Sequence, residues 1–466
     1  MGPSQSTLDK LHNRKAFAAV ENCSVLDDNI NLIERIRSGP GGSRAVDVYV
    51  NCMIDLSFGV FARLADLEGP FKDAVHNVMQ LDVDCTWTRH HLTSLSEMMD
   101  LKDGSGCGLV KLRKMRRLTM NFNLCEQLSD ISALASLGNL RQLQHLTINF
   151  GRCLRLDDVR PLEHGLEQLT QLQTLILIFG KCASLTDLTG LEKSLGQLKQ
   201  LHQLGLNFQS CLKLSDVGPL AGVGMLQNLQ QLNMSFYLCS ELSDVSALGQ
   251  GLGQLQRLQK LHVNFECCTK LGDVESFGLG MGQLKELRHL DMNFGKCLLL
   301  SDVSSVGKGL GQILQLQHLT MDFSGRSQIS NLTPLGQGLE KLTDLRQLAT
   351  NFSGHQQLID ISPLVSGIAT LHHLEQLNMD FSLCSQLEDV TCLGRSLSRL
   401  LNLQEFHVSF RRCAQLADAS PLFKGLDQLR QLRKLSIDFG GCSQLVELNS
   451  LGQFVVHLVQ LRTLQL

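Results

Sequence analysis

The chain has 466 residues, and its 42 Lys and Arg against 45 Asp and Glu give a formal charge of -3. That near balance argues against bulk binding to nucleic acid or to an anionic membrane surface, both of which draw on a basic excess. With 43% hydrophobic and 19% charged residues the chain can bury a large core and is not disordered, while one Trp and two Tyr leave few large aromatic anchors.

Residues 1–110 come first and carry no repeat. Gly2 and Ser6 fit the loose pattern for N-terminal myristoylation, with Pro3 beside the acceptor counting against it. The segment lacks the apolar core of a signal peptide. The apolar stretch at 51–64 is interrupted by Asp55 and Arg63, short of the ~20 residues a membrane-spanning helix needs. Sixteen Cys in a chain without an export signal point to reduced thiols and a cytoplasmic location. A Gly-Pro-Gly-Gly-Ser break occupies 39–43. On either side, Leu32-Ile33-x-x-Ile36 and Phe71-x-x-x-Val75-x-x-Val78-Met79 have helical spacing, so this segment reads as mostly helical.

From 111 onward the chain repeats itself. Phe recurs at 122, 150, 179, 208, 236, 265, 294, 323, 352, 381, 410 and 439, at intervals of 28 or 29 residues. Each closes an alternating apolar triplet such as Leu261-x-Val263-x-Phe265 or Leu290-x-Met292-x-Phe294, the period of a short strand with these side chains inward. Three residues on stands Cys in ten units, with Arg326 and His355 as the exceptions. Leu or Ile follows after three more residues, and two beyond it comes Asp in ten units, then Asn331 and Glu447. A short carboxylate suits a loop because it accepts from nearby backbone N–H groups.

Ser or Thr then fills eight of twelve places, as in Thr333, Ser362 and Ser420, and Pro follows in five units. This reads as a helix start, with the hydroxyl capping an orphan N–H. Leu335, Leu339 and Leu342 continue at helical spacing. Within that helix Gly recurs at 165, 222, 251, 280, 309, 338, 367 and 425. Since Gly costs about 1 kcal/mol against Ala in a helix, its repetition implies close helix packing.

The unit L-x-L-x-F-x-x-C-x-x-L-x-D-V resembles leucine-rich repeats, especially the cysteine-containing subclass, and its length is similar to the ribonuclease-inhibitor-like subclass. Phe in place of the second strand Leu departs from the common pattern and reads as a change of core filling. The resemblance covers residues 111–466, about twelve repeats. It implies an α/β solenoid, curved, with parallel strands on the concave face and helices on the convex face. A first repeat would expose its core face, so residues 1–110 are expected to serve as a mostly helical cap or small domain. Leu464-Gln465-Leu466 aligns with Leu435-Ser436-Ile437, so the chain stops mid-repeat. A truncated chain or self-association through this open end is the expectation there.

No constellation for catalysis, cofactor or metal emerges. The Cys and Asp series lack the local spacings of zinc and calcium sites, so filling the turn and capping the loop explain them better. The pairs His90-His91 and His372-His373 lack metal spacing. No phosphate-binding loop, nucleophile elbow or H-E-x-x-H helix is present. The outward strand positions, by contrast, form a polar ladder that is mildly acidic toward the C-terminal half. Its candidate partner-binding residues are Asn207, Asn264, Asn293, Asp322, Asn351 and Asp380 just before each Phe, His262 and Asp291 two residues earlier, and Tyr237, Arg411 and Arg412 at the edge. One reading is that Asn and Asp keep an exposed sheet soluble; the other is a docking face. The resemblance implies protein ligands there, and hence a non-catalytic interaction scaffold. The alternative it allows is a substrate receptor of a ubiquitin ligase or a GTPase regulator.

Overall fold

The computed structural model describes residues 30–38, 44–52, 78–85, 92–95, 112–326, 328–445 and 458–466. The twelve alternating stretches before the Phe residues form five-residue strands, from β4 (Arg117–Asn121) through β5 (His145–Asn149), β6 (Thr174–Ile178), β7 (Gln203–Asn207), β8 (Gln231–Ser235), β9 (Lys260–Asn264), β10 (His289–Asn293) and β11 (His318–Asp322) to β12 (Gln347–Asn351), β13 (Gln376–Asp380), β14 (Glu405–Ser409) and β15 (Lys434–Asp438). Neighbours pair in parallel and in unshifted register, Leu261 against Leu290 against Leu319, so one residue type runs straight across the sheet. A last strand, β16 (Thr463–Gln465), pairs with β15, and Leu464, in register with Leu435, is 39% exposed.

The sheet also continues upstream, where helices were expected. Strands β1 (Ile30–Ser38), β2 (Arg44–Cys52) and β3 (Val78–Asp84) precede β4 in one sheet of sixteen strands. β1 and β2 are antiparallel on either side of the 39–43 break, and β2, β3 and β4 are parallel. The helical reading of Leu32 and Ile36 fails because a spacing of four satisfies a strand's period of two as well, and Val46, Val48 and Val50 alternate strictly. The described residues of 1–110 contain no helix; the 71–77 part of the second patch, Gly2, Ser6, Trp87, His90 and His91 lie outside the described residues. Strand β3 reveals an unrecognised first unit: Leu81, Val83 and Cys85 are all buried, with Cys85 in the place of Phe. Its N–H donates to Asn121 O at 2.8 Å, as Phe122 N–H does to Asn149 O.

Behind the strands the twelve repeated Phe form a continuous stack. Centroids of successive rings lie 5.3 to 6.1 Å apart, with interplanar angles of 2 to 21°. Phe277 adds edge-on contacts to Phe265 and Phe294. One residue before the Cys position the backbone turns left-handed, from Leu124 (φ 73°) to Arg412 (φ 60°), with Gly there at 441 and, ahead of Arg326 and His355, at 325 and 354. The turned N–H donates to the next unit, for example Leu238 to Glu266 O at 2.9 Å. From Cys153 onward each thiol of the column then donates to the Phe carbonyl of the unit before, as in Cys211 to Phe179 O at 3.0 Å and Cys297 to Phe265 O at 3.2 Å, and Cys125 donates likewise to Cys85 O. The column is therefore a row of hydrogen-bond donors as well as an apolar filling.

The helix start is built differently from the expectation. Ser or Thr is the first helical residue, as in Ser246–Leu252 and Thr333–Leu339, and no cap side chain bonds to the helix. The repeated Asp does the capping instead: Asp244 Oδ1 accepts Ser246 N–H at 2.7 Å and Asp302 Oδ1 accepts Ser304 N–H at 2.8 Å. Position two residues ahead of the helix lets the short carboxylate close an Asx turn, which the hydroxyl cannot reach. The Gly column packs as expected. A Cβ on Gly309 would stand 2.1 Å from Gly278 O, and one on Gly338 2.3 Å from Gly307 O. The two 28-residue units carry 3-10 helices, Ser132–Asn139 and Gly218–Met225, in place of α-helices. A greater rise per residue lets a shorter segment cover the same path.

Candidate functional site

Three columns of outward side chains cover the strand face. The column just before Phe is mostly half-buried, and its Asn and Asp members fold onto their own turns. The Oδ1 atoms of Asn207, Asn264, Asn293, Asp322, Asn351 and Asp380 accept the N–H two residues on at 2.8, 2.8, 2.8, 2.7, 2.9 and 2.8 Å. Asn351 Nδ2 also donates to Asp322 Oδ2 at 2.9 Å and Asn293 Nδ2 to Glu266 Oε2 at 3.4 Å. These residues share one edge of the face, but their first task is to end the strands. Sequence reasoning, weighing solubility against docking, missed this third role; the signal was the fixed spacing of an Asx residue two before a turn position.

Tyr237, Arg411 and Arg412 lie at that same edge. Tyr237 is half-buried and its carbonyl accepts Ser210 N–H at 2.6 Å. Arg411 is exposed, its Nη1 3.9 Å from Asp438 Oδ2, and Arg412 is exposed at a left-handed position. Arg411 and Arg412 are six strands from Tyr237, so the three do not form one cluster.

The middle column is free of turn duties and, from β7 to β14, changes from each strand to the next. From β7 to β14 it reads Gly205, Asn233, His262, Asp291, Thr320, Ala349, Asn378, His407. His262 Nδ1 lies 3.6 Å from Asp291 Oδ2. Hydrogen bonds from His262 and from Thr320 hold the Asp291 carboxyl below its ordinary range, against the opposing effect of burial.

The outer column was not foreseen. It presents Gln203, Gln231, Lys260, His289, His318 and Gln347. The His289 and His318 rings stack with centroids 4.0 Å apart. Burial, then His318 and Lys260, push the His289 imidazole below its usual range, with Asp291 opposing. Extending the alternation two residues back from the middle column, to the residue just before each Leu, would have found this column. His262, His289, Asp291, His318 and Thr320 make a ridge, with a depression on either side. One, of about 320 Å³, lies over Gly205, Leu204, Leu232 and Leu261; the other, of about 430 Å³, lies over Ala349 and Asn378 between Asp322 and Asp380.

The arrangement offers hydrogen bonds and shape, without an activated nucleophile. Burial pushes the column thiols up, to about 12 for Cys211, Cys239, Cys297, Cys384 and Cys413. Cys85 and the twelve cysteines from Cys125 to Cys442 form no disulfide, and no group of three His, Cys, Asp or Glu able to hold a metal occurs among the described residues. Among them too, no helix is long and apolar enough to cross a membrane.

The repeating strand, left-handed turn, capped loop and short helix decide the architecture. The fold is a leucine-rich-repeat solenoid. No family model matches the chain, and no curated protein sequence does. Among solved structures it is similar to internalin C2 from Listeria monocytogenes (22% identity, 47% of this chain and 74% of that one, TM-score 0.31). It is similar also to a chain of the yeast Rad7 and Elc1 complex (18%, 73% and 80%, TM-score 0.39) and of the mouse RP105/MD-1 complex (16%, 85% and 68%, TM-score 0.41).

Proposed function

We propose that this leucine-rich-repeat chain is a non-catalytic interaction scaffold that binds a protein partner on its concave strand face, within the cytoplasm. The observation that carries this reading is the contrast along the middle column. Inward positions repeat Phe, Leu and Cys, while eight successive outward positions present Gly, Asn, His, Asp, Thr, Ala, Asn and His on a fixed backbone lattice. Solubility alone asks only for polar side chains; an order in which size, charge and hydrogen-bonding type change from each strand to the next, with Gly and Ala among them, gives neighbouring places on the face different addresses. The thiol donors of the Cys column support a reducing compartment, since a disulfide removes the S–H.

The test is affinity capture from native lysate with the full chain and a triple variant, His262→Ala, Asp291→Ala and Asn378→Ala. These residues have no turn to hold, and removing His262 with Asp291 leaves neither unpaired. Loss of a partner from the variant, with an unchanged melt, is expected. Identical partner sets would refute the concave-face reading, and fractionation away from the cytosol would refute the location.

A further inference from the structure

Gly205 has no structural reason to be glycine. It lies in the interior of β7, where Gly weakens a strand, and it is the one Gly in the middle column of β4 to β15. Its φ is not left-handed, and an added Cβ would meet Ile176 Cγ1 at 3.5 Å, an ordinary contact. Nothing in the packing forbids a side chain, so what the Gly provides is the space above it. Ile176 bounds that space on one side, half-buried on a mostly polar face, and Asn233 and His262 bound it on the other. Gln203, Gln231 and Lys260 form the rim.

Lys260 is exposed and has no carboxylate partner among the described residues. On the same outer column Lys434 is paired with Glu405 at 2.8 Å. The nearest acid on the ridge, Asp291, is engaged by His262 and Thr320. A hollow with one apolar wall, Ile176, thus stands beside one unneutralised cation.

We propose that this hollow anchors one apolar side chain of an extended segment of the protein partner, and that Lys260 takes a carboxylate from the same segment. Gly205 and Lys260 are two strands and two residues apart. With strands ~4.8 Å apart and ~3.3 Å per residue, that is about 12 Å, or three to four residues of extended chain. The segment therefore carries Leu, Ile, Phe or Trp with Asp or Glu three or four positions away. This rests on the concave-face reading above and specifies its ligand.

A phage-displayed library of random dodecapeptides, selected on the full chain at low salt, is the probe. Enriched peptides are expected to share that apolar-to-acidic spacing. Gly205→Asn, which places in β7 the residue β8 carries at Asn233, should weaken them about tenfold or more, as loss of a hot-spot pocket does, without changing the melt. Ile176→Thr, copying Thr147 on β5, should act in the same direction. Lys260→Gln should abolish the preference for Asp over Asn in the peptide. Peptides unaffected by Gly205→Asn and Ile176→Thr but lost on Asn378→Ala would overturn the pocket while leaving the concave face standing. Peptides indifferent to all of these would overturn the pocket. Failure to enrich any peptide would sink the pocket alone, because capture of a folded partner tests the face separately.

Discussion

The inner and outer layers of this solenoid are written on the same strands and obey opposite rules. Phe, Leu and Cys recur inward with few exceptions, and one of these, His355, keeps the bond that the usual residue makes: His355 Nε2 lies 2.6 Å from Phe323 O, where Cys thiols bond in other units. Outward, the middle column has no consensus at all. In a stack, each buried side chain must fit two neighbours shaped by the same rule, so a change propagates. An outward residue meets only its flanking strands and solvent, so it is free to vary and able to specify.

The sharpest way to break this comparison is to cut the inner layer. Phe294→Ala removes a ring stacked between Phe265 and Phe323 and touched edge-on by Phe277. The cavity should cost about 3–5 kcal/mol. Denaturant unfolding of this variant beside the His262, Asp291 and Asn378 triple variant should separate the layers: a large loss for one substitution, little for three. Equal losses would show that the concave face is itself a stability element.

The convex side should behave like the core. A methyl on Gly309 would enter the carbonyl of Gly278, so one helix must move away from the next. Gly309→Ala raises intrinsic helix propensity by about 1 kcal/mol, but overpacking costs about 1–3 kcal/mol. A lower melting temperature is expected. A higher one would mean the helices are loosely stacked and the Gly column has another purpose.

How much of this was open to sequence reasoning follows from the same division. The fold was legible because a buried layer that copies itself leaves a 29-residue period that composition cannot imitate. The concave columns were partly legible, since the strand period gives direction but not duty. Asn293 and Asp322 faced outward as read, yet their hydrogen bonds to the turn are set by backbone geometry that residue type alone does not reveal. Gly205 was lost for the opposite reason: a side chain that is absent leaves no pattern to count. In residues 1–110 only single elements were available, and Leu32 and Ile36 fit either period. The first unit escaped because Cys85 stands where Phe was the marker and 37 residues separate it from Phe122.

The inner layer's exceptions sharpen the comparison further. Burial holds the His355 imidazole below its ordinary range, against the opposing backbone contacts of Phe323 and Ile329 and the charge of Asp322. The carbonyl of Phe323 only accepts, so Nε2 carries a proton, and burial favours the neutral form of the folded ring. The unfolded chain then binds the extra proton more readily. Stability from this site is whole above the unfolded histidine pKa of about 6.5 and falls as pH drops below it. His355→Cys restores the thiol of the other units and removes that loss. Melts at pH 7.5 and 5.5 should differ less in the variant; His145 and His289, also depressed, are common to both proteins and cancel in the comparison.

The smallest effect comes from the one inward strand position among the described residues where a polar side chain breaks the rule. Thr350 takes the place held by Met321 and Met379 on the flanking strands, is 4% exposed, and its hydroxyl finds no hydrogen-bond partner. An orphaned buried hydroxyl costs about 1–3 kcal/mol of desolvation that no bond returns. Val has the same shape, keeps the β-branch that suits a strand, and removes the polar atom. Thr350→Val should therefore stabilise the chain by about 1 kcal/mol, measured as a higher denaturation midpoint at unchanged slope. Because Thr350 lies beneath the second depression while Gly205 lies in the first, peptide binding at Gly205 should not change. A variant that lost stability would place a partner on that hydroxyl, and one that altered binding at Gly205 would join the two layers that the rest of the molecule keeps separate.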